Sequence, residues 1–179
     1  MTSRLLVDKL EGKTTANSIE MPSGSVIQVV HRSSADAFTN SSTGNNIAAT
    51  TNTWVSGGVQ SEVTITPKFS SSFILLQCVM NIDNAATDNR ALYTFFKSVN
   101  NGTYSNLAIL NSEGYDALCR SHDTGERGLF NQGMQFYDAV DSTQVHKYRV
   151  YVRGQNSGNA AKIRNDIVPL KLTAMEIAG

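Results

Sequence analysis

V-T-I-T-P-K-F-S-S-S-F-I-L-L-Q-C-V-M, Val63 to Met80, holds two strand patterns of different kinds on either side of a proline. The segment ending at Thr66 alternates, with Val59, Val63 and Ile65 on one face and Gln60, Glu62 and Thr64 on the other, so it reads as a strand with one wet face. Pro67 cannot donate to a sheet ladder and ends it. Phe73 to Met80 is apolar on both faces: Phe73, Leu75 and Val79 point one way, and Ile74, Leu76, Cys78 and Met80 the other. An antiparallel strand of that kind needs a second covering layer, and the expectation is that another subunit supplies it.

Working outward, β-branched residues mark a strand at Val26 to Val30, and further strands are expected at Leu92 to Val99, Tyr104 to Leu110, Gly133 to Val140, His146 to Arg153 and Leu170 to Ile177. Asn100, Asn101 and Gly102 form a hairpin-turn signal, because these residues accept positive φ at low cost. Ile163 to Val168 is ambiguous. The last strand shows an apparent change of phase: Leu170, Leu172 and Ala174 occupy one face, Met175 and Ile177 the other. No window supports a long helix by period, so about eight strands imply an all-β chain, an antiparallel β-sandwich of jelly-roll type. Residues 1–22 are weakly patterned and read as an extended N-terminal arm, with residues 23–179 forming the sandwich head. His31 to Thr53 is long and polar, anchored by Phe38 and Ile47.

The 179 residues suit one domain that can bury a core unaided. Fifteen basic and fifteen acidic residues leave no net charge, so there is no broad field to draw nucleic acid or an anionic membrane, and neither is expected as a partner. The same neutrality permits assembly. The start M-T-S-R-L-L-V-D-K-L lacks the pattern of a signal peptide, and no run is long enough to span a bilayer. Sequons at Asn40 and Asn101 are chance matches in a chain rich in Asn, Ser and Thr. Cys78 and Cys119 match no zinc or redox spacing, and both read as buried free thiols.

Candidate chemistry is sparse. His31, His122 and His146 accompany many serines, yet none of the serines sits in a nucleophile elbow, and the expectation is that the chain is not an enzyme. The densest polar stretch, Ser112 to Arg127, reads as a solvated loop with local ion pairs. If the chain has a ligand loop it is this one, with Tyr115, Asp116, Arg120, His122 and Arg127 as its candidate residues. The acids of Asn81 to Asp88 lack the calcium-loop pattern and read as a turn. No cofactor and no metal are expected. Of the aromatics, Tyr115 and Tyr137 are the best candidates for exposure. The interface residues expected from the two-faced strands are Phe73, Leu75, Leu76, Leu172, Met175 and Ile177.

Four motifs occur in order: M-P-x-G-x-V-I-Q-V-V from Met21, I-T-P-K-x-S-S-S-x-I-L from Ile65, Y-x-V-Y-V-R from Tyr148 and L-T-A-M-E-I from Leu172. Together they resemble domains of tail fibres and related virion appendages of tailed bacteriophages, notably marine ones. L-L-V-D-K-L-E-G-K-T, from Leu5, is similar to segments upstream of such domains. The resemblance implies a homotrimer with a jelly-roll head, located in the virion, whose arm contacts other virion proteins. Three places remain open: a short tail fibre or fibre tip that touches the host surface, a capsid decoration or head-fibre protein, and a lectin-like module that binds a host glycan.

Overall fold

The computed structural model describes residues 22–33, 46–49, 53–84, 90–108, 116–122, 128–155, 161–164 and 168–179. The arm expected over residues 1–22 lies, apart from Pro22, outside the described residues. So does most of the polar stretch around Phe38.

Twelve strands are present among the described residues: β1 (Val26–Ser33), β2 (Asn46–Ala49), β3 (Val55–Ser56), β4 (Glu62–Ile65), β5 (Phe73–Asn84), β6 (Arg90–Val99), β7 (Ser105–Asn106), β8 (Cys119–His122), β9 (Gly128–Ala139), β10 (His146–Gly154), β11 (Ala161–Arg164) and β12 (Lys171–Ile177). Every pairing is antiparallel. In the first sheet, β9 lies along one edge of β5. β12 and β11 follow each other along the opposite edge, and β1 and β2 pair outside them. In the second sheet, β4 and β3 share one edge of β10, β6 takes its other edge, and β7 and β8 share the far edge of β6.

Consecutive long strands therefore alternate between layers: β1 in the first sheet, β4 in the second, β5 in the first, β6 and β8 in the second, then β9, β10 and β12 in turn. That strand order is a jelly roll, as the sequence leads one to expect. Several strands run longer than periodicity shows. β5 continues through Asn81 to Asn84, so the first half of the turn read over Asn81 to Asp88 is strand while 85–88 lie outside the described residues, and Asp83 is buried against Arg164, Nη1 to Oδ2 2.8 Å. The returning strand after Tyr104 is short, only Ser105–Asn106. Asn100 and Asn101 both have positive φ, and the Gly102 N–H donates to the Val99 carbonyl, closing the expected turn.

The core lies between the sheets. Ile74, Leu76, Cys78, Met80 and Ile82 from β5, with Leu172 and Ala174 from β12, face Val63, Ile65, Tyr93, Phe95, Tyr148, Val150 and Val152. Full burial of each large apolar side chain contributes about 1.5–3 kcal/mol. Two polar links cross or close this interior. The Tyr148 hydroxyl donates to Asp138 at 2.6 Å, and Lys97 Nζ lies 3.0 Å from the same oxygen, joining β9 of one sheet to β6 and β10 of the other. Burial, and then the Asp138 charge, push the Tyr148 phenol well above its usual range.

The second link is Glu176, which corrects the expected phase break. Residues 170, 172, 174, 176 and 178 are all buried, so alternation never slips and a carboxylate occupies an inward position. Its Oε1 accepts from the backbone N–H of Lys68 (2.7 Å) and Phe69 (3.2 Å) and from the Ser72 hydroxyl (2.8 Å). Its Oε2 accepts from the Gln28 amide at 2.6 Å, and that amide also donates to the Thr66 carbonyl. The connection between β4 and β5 is thus folded around one buried charge held by β12. Glu176→Ala leaves these donors unmet inside the protein and is expected to lower unfolding stability by about 3 kcal/mol, with Glu176→Gln costing less because an amide oxygen still accepts. Urea denaturation of both variants checks this. Equal midpoints for Glu176→Ala and the unsubstituted protein would contradict it.

Candidate interaction surfaces

Because strand side chains alternate, the residues opposite the core set point away from the sandwich. In the first sheet the registers align them in rows. Val26, Ile177, Phe73 and Ala139 form one row, and Val29, Met175, Leu75 and Tyr137 the next. Both are apolar. The following row is His31, Thr173, Gln77 and Gln135, and beyond it stand Ser33, Lys171, Val79 and Gly133.

Phe73 and Tyr137 stack with centroids 4.7 Å apart, which holds two rings flat on this face. Six large hydrophobic side chains are exposed among the described residues. Four of them are on this one face: Val26 at 50%, Val29 at 55%, Val79 at 46% and Tyr137 at 51%. The exposure expected for Tyr137 is present, and Tyr115 lies outside the described residues.

The six expected interface residues divide. Phe73, Leu75, Met175 and Ile177 lie on this outward face, half-buried by their neighbours. Leu76 and Leu172 do not: both are fully buried in the sandwich core of a single chain. The correction follows from phase, since Leu76 shares the inward register with Ala174, and Leu172 with Cys78.

The second sheet covers its own outer face. Arg149, Tyr151 and Arg153 alternate outward along β10, and Tyr151 stacks on Phe96 of β6 at 4.0 Å. Trp54 packs edge-on against Phe96 at 5.7 Å, and the Arg153 guanidinium lies 4.9 Å above the Trp54 ring. Asp116 accepts from Trp54 Nε1 and pairs with Arg153. Farther along, Arg149 lies 4.3 Å above the Tyr104 ring, while both Arg149 and the Tyr104 hydroxyl donate to Glu62. Glu62 is buried by this arrangement, so the wet face read for Glu62 is not wet at that position.

This cluster revises the candidate ligand loop. Asp116 is bonded to Trp54 and Arg153. Arg120 and His122 belong to β8, paired with β6, where the sequence reading has loop; Arg120 is exposed and Ser121 between them is buried. Arg127, like Tyr115, lies outside the described residues. Trp54, Tyr104, Arg149 and Arg153 were not singled out from the sequence as a group. Their signal was the arginines at alternate positions around Tyr151 in Y-R-V-Y-V-R. Cys78 and Cys119 are free, one in each sheet, and burial raises both thiols. Among the described residues, no three His, Cys, Asp or Glu side chains converge as a metal site would require.

Burial alone would raise the Asp116 carboxyl, but hydrogen bonds from Trp54 and Arg153 and the Arg153 charge outweigh it and hold the group below its usual 3.8. A depressed folded-state pKa contributes stability that is present above the unfolded value and lost as pH falls through the folded one. Trp54 is the only tryptophan in the chain, so its fluorescence reports this titration. The expected signal is an acid step whose midpoint lies below pH 3.8. Asp116→Asn is expected to show altered fluorescence at neutral pH and no step. An identical acid step in both proteins would contradict the assignment.

No family model matches the chain, and no curated protein matches it. Solved structures to which the chain shows some similarity include that of the infectious bursal disease virus Gx strain (TM-score 0.42, 9% identity, covering 98% of this chain and 38% of that one). The VP2 subviral particle of the same virus gives a TM-score of 0.40 at 10% identity, covering 98% and 42%. The CBM22-1 xylan-binding domain of Paenibacillus barcinonensis Xyn10C gives 0.37 at 9% identity, covering 89% and 99%. The chain spans about two-fifths of the length of the viral chains. With every one of these TM-scores below 0.5, the β-sandwich assignment rests on this chain's own strand order.

Proposed function

We propose that this protein is a virion structural subunit that works by association, forming a homotrimer through the outward face of its first sheet, with residues 1–22 engaging another virion protein. One observation carries the reading: the two adjoining apolar rows, Val26 to Ala139 and Val29 to Tyr137, that cross all four strands β1, β12, β5 and β9. Single exposed hydrophobics are ordinary on a protein surface, whereas contiguous ones mark association sites. The motif resemblance to phage appendages supports the same reading and supplies the copy number.

Three copies related by a closed rotation meet through two different patches, so the apolar face of one subunit covers a different surface of the next. At roughly 25 cal/mol per Å² of apolar area, an interface of about 1,600 Å² supplies enough to offset the entropy of association. The opposite sheet is a poorer candidate, because Tyr104, Arg149, Trp54 and Arg153 already satisfy the Glu62 and Asp116 carboxylates there.

Light scattering on the purified protein is expected to give three times the chain mass. Leu75→Glu places an unpaired charge in the middle of the apolar rows, where a neighbouring copy would pack, and is expected to give the single-chain mass with an unchanged far-ultraviolet strand spectrum. A stable monomer of the unsubstituted protein would overturn the proposal.

A further inference from the structure

Gly133 stands mid-way along β9, where glycine weakens a strand and a side chain would ordinarily strengthen it. Nothing described within the protomer asks for it. Its backbone is not left-handed: the positive-φ glycines among the described residues are Gly24 and Gly58. No bulge is built on it, since the β5–β9 register runs unbroken from Phe73 opposite Ala139 to Asn84 opposite Gly128. Among the described residues no neighbour forbids a larger residue, as a Cβ added at Gly133 would meet no heavy atom of theirs within 4 Å. With a left-handed conformation, a bulge and packing against described residues set aside, the remaining reason for glycine inside a strand is close approach by another backbone or ligand.

A shallow open depression of about 440 Å³ lies over this position, lined among the described residues by Gln77, Cys78, Val79, Gly133, Met134 and Gln135. It opens outward, because Gln77, Val79, Gly133 and Gln135 are all exposed while Cys78 and Met134 are buried. Exposed Val79 stands directly opposite Gly133. Gln77 and Gln135 form the row next to Leu75 and Tyr137, so the depression continues the apolar face instead of standing apart from it. Its described lining carries no charge and offers two amides, which suits neutral backbone and side-chain groups, and the exposed Lys171 beside Val79 is a single charge at its rim.

We propose that the occupant is a second copy of this chain, whose closest approach to the first sheet is over Gly133, with the rows around Leu75 and Tyr137 packed beside it. This rests on the self-association reading and adds to it the locus of contact. The continuity of the depression with the apolar rows, and a chain without net charge to repel its own copies, favour this occupant.

Gly133→Ala and Gly133→Trp test the assignment by sedimentation velocity over a dilution series, with folding checked by thermal melting in the monomer-forming Leu75→Glu background. Both variants are expected to melt at or above the temperature of that background, since the added atoms have room. Gly133→Trp is expected to weaken association at least tenfold, and Gly133→Ala by less. Assembly of Gly133→Trp at the same concentration as the unsubstituted protein would overturn this inference and leave the self-association reading standing. An unsubstituted protein that sediments as one chain would remove both.

Discussion

β5 is paired along both edges for most of its length, so its side chains have only two directions left, toward the second sheet or away from the molecule. Its inward set meets β4, β6 and β10 and makes the core. Its outward set begins with Phe73 and Leu75 and reaches Val79, and a two-layer sandwich has no third layer to place over them. Since β12 and β9 lie in register on either side, Met175, Ile177 and Tyr137 join that outward set. The apolar outer surface is thus a direct product of strand period and register, and the association proposed here answers it.

The two layers are treated differently by the chain. Over the second sheet, Trp54, Tyr104 and Asp116 fold back onto β6 and β10, and Arg149 and Arg153 each have an aromatic ring below and a carboxylate beside them. Over β1, β12, β5 and β9 of the first sheet, the described residues provide no comparable cover. Glu176 links these two regimes, because it binds the connection that carries the chain from β4 in one sheet to β5 in the other. A buried carboxylate with so many donors fixes where β12 sits, and with it the register that places Met175 and Ile177 outward.

Period alone made the two-faced character of Phe73 to Met80 legible, and strand spacing made the jelly roll legible. Which face turns inward was not legible, since both are apolar. Leu76 and Leu172 therefore entered the expected interface although the register sends them to the core. The apparent phase change at Met175 had a similar origin: a glutamate at an inward position looks polar and exposed until donors from Lys68, Phe69 and Ser72, remote in sequence, are brought to it. Trp54, Arg149 and Arg153 were unread as a unit because they lie on segments that only tertiary pairing unites. Gly133 was visible as a letter but carried no meaning until its φ, its register and its empty surroundings were known.

Hydroxyl-radical footprinting of the assembled protein tests the central claim most directly, because oxidisable residues sit on both outer faces. The account predicts that Met175 and Tyr137 are oxidised several-fold more slowly in the assembly than in the dissociated Leu75→Glu, Met175-containing chain, while Trp54 and Tyr104 react alike in both. Equal oxidation of Met175 and Tyr137 in the two states, with protection appearing instead at Trp54 and Tyr104, would contradict it.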